Sequence, residues 1–338
     1  MRPRTAFSAL GAALLAGSLA LASGCAKQED VVVKSGADKK LGPEQIDADP
    51  LALLPSGAIG VGYIDTQKLL TSAFGEKLLL MLQKQMPIPQ GAGYEPRRDL
   101  AKLYVGFYSM TGADVAGVAI GNFDAAKIDA AATATATTAL GMPVTKSSYA
   151  GRNLFTAENL GFTVLTQKTA LFGNDTGIRR ALDRIEEGRA RRQLPENMLK
   201  LLVEPSAPLV IGGDLTGHPI PNALRSELAF LEGVKTLSIV GNFDAPGLNL
   251  AGTFSYADPD SATRGMQQLL NLRATLDRYA PFLAIVGIPN PIRALSATPN
   301  GNDGSFVLAA DGQAVAVLLE KAVDFAGAMQ KAKAQGGQ

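Results

Sequence analysis

Three short stretches recur in the same order in the two halves of the chain, and that order constrains the fold more than any composition figure. PSGAIGVGYIDT (55–66) has a counterpart in SAPLVIGGDLTG (206–217). Val115-Ala116-Gly117 matches Leu250-Ala251-Gly252, and Leu140-Gly141-Met142-Pro143 matches Val286-Gly287-Ile288-Pro289. Upstream of the last match each half carries two alternating segments joined by a turn. These are KLYVGFYSM and ADVAGVAIGNFD in the first half, TLSIVGNFD and LNLAGTFSYAD in the second. Ordered self-similarity of this kind reads as duplication of one structural unit.

Each unit then reads as strand, helix, hairpin, long helix, further strands and a closing helix. In DTQKLLTSAFGEKLLLMLQKQM, Asp65 and Thr66 are the candidate N-caps, with leucines spaced for one buried face. In the second half Asp258 stands at a cap position and Pro259 at the first helical position, where its missing N–H costs nothing. The alanine- and threonine-rich run from Ala130 to Ala139 is helix-compatible, and its small side chains suit close packing on a sheet. RNLFTAEN, LGFTVLTQ and KTALFGND follow as adjacent alternating strands. Alternation implies one wet and one buried face. The expected class is therefore α+β: two tandem repeated units of antiparallel sheet with long helices packed on one face. The first unit has four strands after its long helix and the second two. The boundaries fall at 1–24 for a leader, 25–49 for a tether, 50–195 for the first unit and 196–338 for the second.

The N-terminus adds a location. Arg2 and Arg4 precede an apolar run from Ala6 to Ala22 broken only by small residues, as in a secretory signal peptide. Its exit, Leu21-Ala22-Ser23-Gly24-Cys25, resembles the lipobox of bacterial lipoproteins. That resemblance implies cleavage between Gly24 and Cys25 and acylation of Cys25, the only cysteine in the chain. Ala22 stands where the pattern prefers a larger aliphatic residue. An ordinary A-x-A site, Ala20-Leu21-Ala22, is the alternative; it would leave an exposed thiol near a secreted N-terminus. With its one cysteine in the leader region, the body has no disulfide to rely on, so packing must stabilise it. Ala26 after the cysteine, in place of an aspartate, points to the outer membrane of a Gram-negative bacterium. Residues 25–49, rich in Lys, Asp, Glu and Gly, read as a flexible spacer between lipid and body. The opening LLPSGAIGVGYID after this tether resembles that of myxobacterial-type envelope lipoproteins, a group that brings no activity with it.

Chemistry is sparse. Removing Arg2 and Arg4 takes the formal charge from +1 to −1, so nothing argues for nucleic acid. His218, the only histidine, sits in the loop sequence GHPIP and has no partner histidine for a zinc site. No G-x-S-x-G or S-x-x-K pattern occurs. Gly57–Gly62 has the order G-x-x-G-x-G inside a strand, which suits close packing better than a dinucleotide loop. The run from Pro299 to Gly304 reads as a hairpin turn rather than a calcium loop. Asp65 and Asp214, at the ends of the two opening strands, form the best available carboxylate pair for acid/base work, although each also reads as a cap or turn residue. Arg179, Arg180, Arg184, Arg189, Arg191 and Arg192, with Glu186 and Glu187 among them, read as a solvated helix end, the alternative being contact with an anionic surface.

These readings favour a membrane-tethered, non-enzymatic envelope protein without metal or cofactor, binding another envelope component. The alternative is a carrier or sensor of a hydrophobic ligand such as a lipid, with Leu78–Leu82 and Leu269–Leu276 lining a cleft, and a carboxylate-based hydrolase stands third.

Overall fold

The computed structural model describes residues 40–72, 75, 86–110, 114–138, 141–222, 225–226, 228–285 and 290–318. Residues 1–24, Cys25, Val31–Val33 and Leu78–Leu82 lie outside these, as does the second member of the LGMP/VGIP match.

Among the described residues twelve strands form one sheet in the order β11-β12-β10-β9-β8-β1-β2-β3-β7-β6-β5-β4, antiparallel at every pairing. The strands are β1 (Gly60–Asp65), β2 (Leu100–Phe107), β3 (Val115–Gly121), β4 (Thr145–Tyr149), β5 (Arg152–Ala157), β6 (Leu160–Val164) and β7 (Thr169–Gly173). The rest are β8 (Leu209–Asp214), β9 (Val234–Asn242), β10 (Gly247–Tyr256), β11 (Ile292–Asn300) and β12 (Asp303–Asp311). The opening strands of the two halves, β1 and β8, pair with each other at the centre. The two halves thus share a single sheet.

Residues directly opposite one another across a ladder point to the same face. One row therefore runs Phe155–Phe162–Phe172–Gly117–Val105–Gly62–Ile211–Ile239–Gly252–Phe306–Ala297. Going outward from the Gly62–Ile211 pair, each side meets an aliphatic residue, then a glycine, then a phenylalanine.

The helices are α1 (Pro43–Ala48), α2 (Thr66–Leu70), α3 (Pro96–Asp99), α4 (Ala125–Ala131), α5 (Asp175–Glu186), α6 (Glu196–Val203) and α7 (Pro259–Ile285). A further helical segment covers 312–318. As expected, Asp65 caps α2 by accepting from the Lys68 N–H at 3.0 Å. Asp258 likewise accepts from the Ser261 N–H at 2.7 Å at the start of α7.

The expectation of helices on one face holds only over β9 to β12, because within the second half α6 packs on Val210 of β8 from the face opposite α7. There Met266 and Leu269 of α7 pack on Phe254 and Phe306, while the other face presents the row Ser238–Thr253–Ser305–Thr298 with no helix over it among the described residues. It fails for the first half. Ile178, Leu182 and Ile185 of α5 and Met198 and Leu202 of α6 pack on Val61, Val118, Leu171 and Val210. On the opposite face Ile128 of α4 packs with Ala119, Phe155, Phe162 and Ala170. The reason lies in the central strands: VAGVAIG and TALFG are apolar at nearly every position, so both faces must be covered.

Two further expectations are corrected. The run from Ala130 does not continue a helix, because α4 ends at Ala131 and Thr137 bridges to Pro143. Alternating threonines disfavour the helix, and Thr138 Oγ1 accepts from the Met142 N–H instead. The folded body also begins earlier than residue 50. Ile46 on α1 is fully buried, and Asp47 accepts from the hydroxyls of Thr166 at 2.5 Å and Thr169 at 2.7 Å.

Candidate functional site

The antiparallel pairing of β1 and β8 separates the carboxylates proposed as an acid/base pair. The Asp65 N–H donates to the Pro208 carbonyl at one end of the ladder, and the Asp214 N–H to the Ile59 carbonyl at the other. Six residues of strand lie between those ends, roughly 20 Å at about 3.3 Å per residue. That distance is incompatible with shared work on one bond. Asp65 is a helix cap, and Asp214 accepts from the Thr216 N–H at 2.9 Å in a turn.

His218 is exposed in the loop after β8, its N–H donating to the Leu215 carbonyl. Gly60 and Gly62 lie within β1, and Gly301 turns the β11–β12 hairpin at φ 58°. Leu269 and Leu276 are buried in the core, and Leu269 packs under α7 with Phe254 and Phe306; neither lines the clefts described below. Among the described residues there is no group of three or more His, Cys, Asp or Glu able to hold a metal, and no helix is long and apolar enough to cross a membrane.

The arginine-rich stretch is only in part the solvated helix end that the sequence suggested: Arg191 and Arg192 are exposed, but Arg184 and Arg180 are built into the fold. Arg184 is 8% exposed and donates to the carbonyls of Ala52 at 3.2 Å and Arg191 at 2.7 Å, and to Gln193 Oε1 at 2.8 Å. Arg180 donates to both oxygens of Asp114 at 2.7 Å and lies over the Tyr108 ring. Arg179 pairs with Asp175 over the Tyr149 ring, Arg192 with Asp49, and Arg189 with Glu187. Arg180 and Arg184 fasten α5, and Arg192 the segment after it, to partners far away in sequence, which no local charge pattern reveals, whereas Arg179 and Arg189 pair locally.

What the sequence did not single out is a pair of clefts at one end of the first-half sheet. They lie on either side of Asp124 and Gln167, which line both. The larger, about 500 Å³, is bounded by the start of α4, the start of β5 and the β6–β7 hairpin. The smaller, about 360 Å³, lies toward α3. Backbone bonds from Gly121 to Lys168 and from Phe123 to Gln167 extend the β3–β7 ladder and fix the ridge between them.

The smaller cleft is largely neutralised. Arg98 donates to Asp99 from Nε at 2.7 Å and from Nη2 at 2.6 Å, which holds the Asp99 carboxyl below its ordinary pKa of 3.8. Lys127 pairs with Asp124 at 3.2 Å. Tyr94 stacks on Phe123, and its buried hydroxyl has no hydrogen-bond partner among the described residues; burial pushes its pKa up.

The larger cleft holds a different arrangement. Arg152, half-buried at the start of β5, donates from Nη1 to the Leu165 carbonyl at 2.9 Å. It forms no ion pair among the described residues, and its buried Nε has no hydrogen-bond partner. Desolvation pulls its pKa below the usual guanidinium value, with the Glu186 carboxylate acting in the other direction. Glu186 is itself engaged by Lys40 at 2.6 Å.

No protein-family model matches the chain, and no curated protein matches it. Among solved structures, crystal form I of TP0453 matches with a TM-score of 0.51 at 11% identity, covering 81% of this chain and 97% of that one. Crystal form III of the same protein matches with a TM-score of 0.48 at 11% identity, covering 81% and 98%. At that identity the likeness is one of fold.

Proposed function

We propose that this chain is a non-enzymatic envelope lipoprotein, tethered through acylated Cys25 and binding another envelope component through its folded body. The observation that carries the reading is the sole cysteine at the exit of a basic and apolar leader, behind small residues. The separation of Asp65 from Asp214 removes the one acid/base pair that the sequence offered, which supports a binding role over hydrolysis. The outer membrane is the proposed location.

The two halves are read as copies of one unit. The mirrored row through Gly62 and Ile211 supports this, as does the identical outward succession of three strands, β1-β2-β3 and β8-β9-β10. The sheet then ends in four strands on one side and two on the other.

Crosslinking in intact cells followed by pull-down of the tagged chain tests the binding role. A single dominant envelope partner is expected; a blank across several growth states contradicts it.

A further inference from the structure

The two faces of the sheet centre are packed differently. On one, Val61 and Tyr63 of β1, Val118 of β3 and Val210 of β8 are buried in the cluster that α5 and α6 complete. On the other, Val105 and Phe107 of β2 and Leu209 and Ile211 of β8 are only half-buried, as is Ile239 of β9. Val105, Phe107 and Ile211 belong to none of the hydrophobic clusters among the described residues. Gly62 lies between Val105 and Ile211, and a Cβ there would meet no described side chain within 4 Å. Described helices stand on three sides of this floor. α4 packs by Ala119 and Ala170, α7 by Phe254 and Phe306, and α2 with the 312–318 helix by Leu209 and Leu250. The row across the floor from Gly117 to Gly252 crosses from β3 to β10, roughly 24 Å at about 4.8 Å per strand.

We infer that this trough receives the acyl chain of a single lipid molecule. On this face β1, β2 and β8 present only apolar side chains and glycine, so an occupant with polar atoms would lose water and find no partner. An alkyl chain loses nothing by the same transfer and gains by leaving water. The flanking helices argue against a docked protein, which needs a patch of about 800 Å² that it can reach flat. A chain one carbon wide lies between them, and Gly62 lets it approach the backbone closely. A half-buried apolar patch of this extent, behind a fully packed opposite face, marks a binding groove rather than a core. The inference takes up the hydrophobic-ligand alternative on a different set of residues. It goes beyond the tethering role and holds whether or not Cys25 is acylated.

The test is fluorescence titration of the full chain with cis-parinaric acid, a long-chain fluorescent fatty acid, followed by competition with palmitate and with butyrate. Gly62→Leu fills the trough, and Ile211→Asp places a charge on its floor. Val307→Ser is the control for adsorption, since Val307 is 57% exposed on the opposite face. Circular dichroism checks each fold; should Ile211→Asp fail to fold, Gly62→Leu decides. Binding of one parinarate per chain, displaced by palmitate and not by butyrate, supports the inference when it weakens at least about tenfold in the folded trough variants and is unchanged in Val307→Ser. A lipid that co-purifies in native mass spectra of the parent and is absent from Gly62→Leu supports it equally. No binding by a chain shown to be lipid-free, binding of many molecules per chain, or binding that Gly62→Leu leaves intact overturns it.

Discussion

Gly117 on β3 lies directly opposite Phe172 on β7, and the phenyl ring fills the space that a Cβ at Gly117 would need. On the other side of the sheet Gly252 stands in the same relation to Phe306, whose Cε1 would lie 2.8 Å from an added Cβ. The glycines are needed here for close approach. Gly117→Ala is expected to cost about 2 kcal/mol through overpacking, and Gly252→Ala a similar amount. In a Phe172→Leu background the cost of Gly117→Ala falls by about half, because the smaller side chain can give way. Urea midpoints of the four proteins in that cycle check it; a strictly additive result contradicts the packing account.

Arg184 ties three segments together through the carbonyls of Ala52 and Arg191 and the Gln193 amide. Removing its side chain takes the Arg184 donor from the buried Ala52 carbonyl and unties the 191–193 segment, so Arg184→Leu is expected to lose about 2 kcal/mol. Arg191→Ala, whose own side chain is exposed, changes stability by less than about 0.5 kcal/mol. Urea denaturation of both variants distinguishes a buried fastening from a surface charge cluster, which would make the two losses alike.

Acid should weaken the wall of the smaller cleft through Asp99. Its carboxyl accepts from Arg98 and from the Glu95 N–H at 2.8 Å, and it is held below its ordinary value chiefly by the Arg98 bond. A carboxyl with a depressed folded pKa adds stability that is complete above its unfolded value of about 4 and is lost as pH falls through the folded value. Asp99→Asn should therefore be about 1 kcal/mol less stable than the parent at pH 7, with the gap closing below pH ~4. Urea midpoints at pH 7, 4 and 3 measure this. A gap that persists undiminished at pH 3 contradicts the assignment.

Asp65 and Asp214 act independently at opposite ends of their shared ladder. Asp65→Ala is expected to cost about 1 kcal/mol as the loss of a helix cap, and Asp214→Ala less. Their effects should add within about 0.5 kcal/mol in the double variant. A larger coupling measured by denaturation would mean that the two carboxylates share an environment.

Local chemistry was legible in the sequence where local chemistry decides the outcome. Asp258 with Pro259 announced α7, and alternation marked β5, β6 and β7 within a few residues. The opening strands were legible too, but not that β1 and β8 pair with each other, since antiparallel pairing across 150 residues leaves no local trace. The same blindness explains the arginines. The partners of Arg180, Arg184 and Arg192 lie 66, 132 and 143 residues away, so a run of cations read as a wet helix end. VAGVAIG did contain the evidence for a sheet covered on both faces, in its lack of any polar position. Arg152 gave no signal, because at the start of a strand it resembles any solvated turn residue; only the fold shows it half-buried on the Leu165 carbonyl.

The most direct measurement is mass spectrometry of the N-terminal peptide of the chain isolated from membranes of its native host. The account predicts a peptide that begins at Cys25 and carries two or three fatty acyl chains. An N-terminus at Ser23 with an unmodified thiol, or an uncut leader, would contradict it.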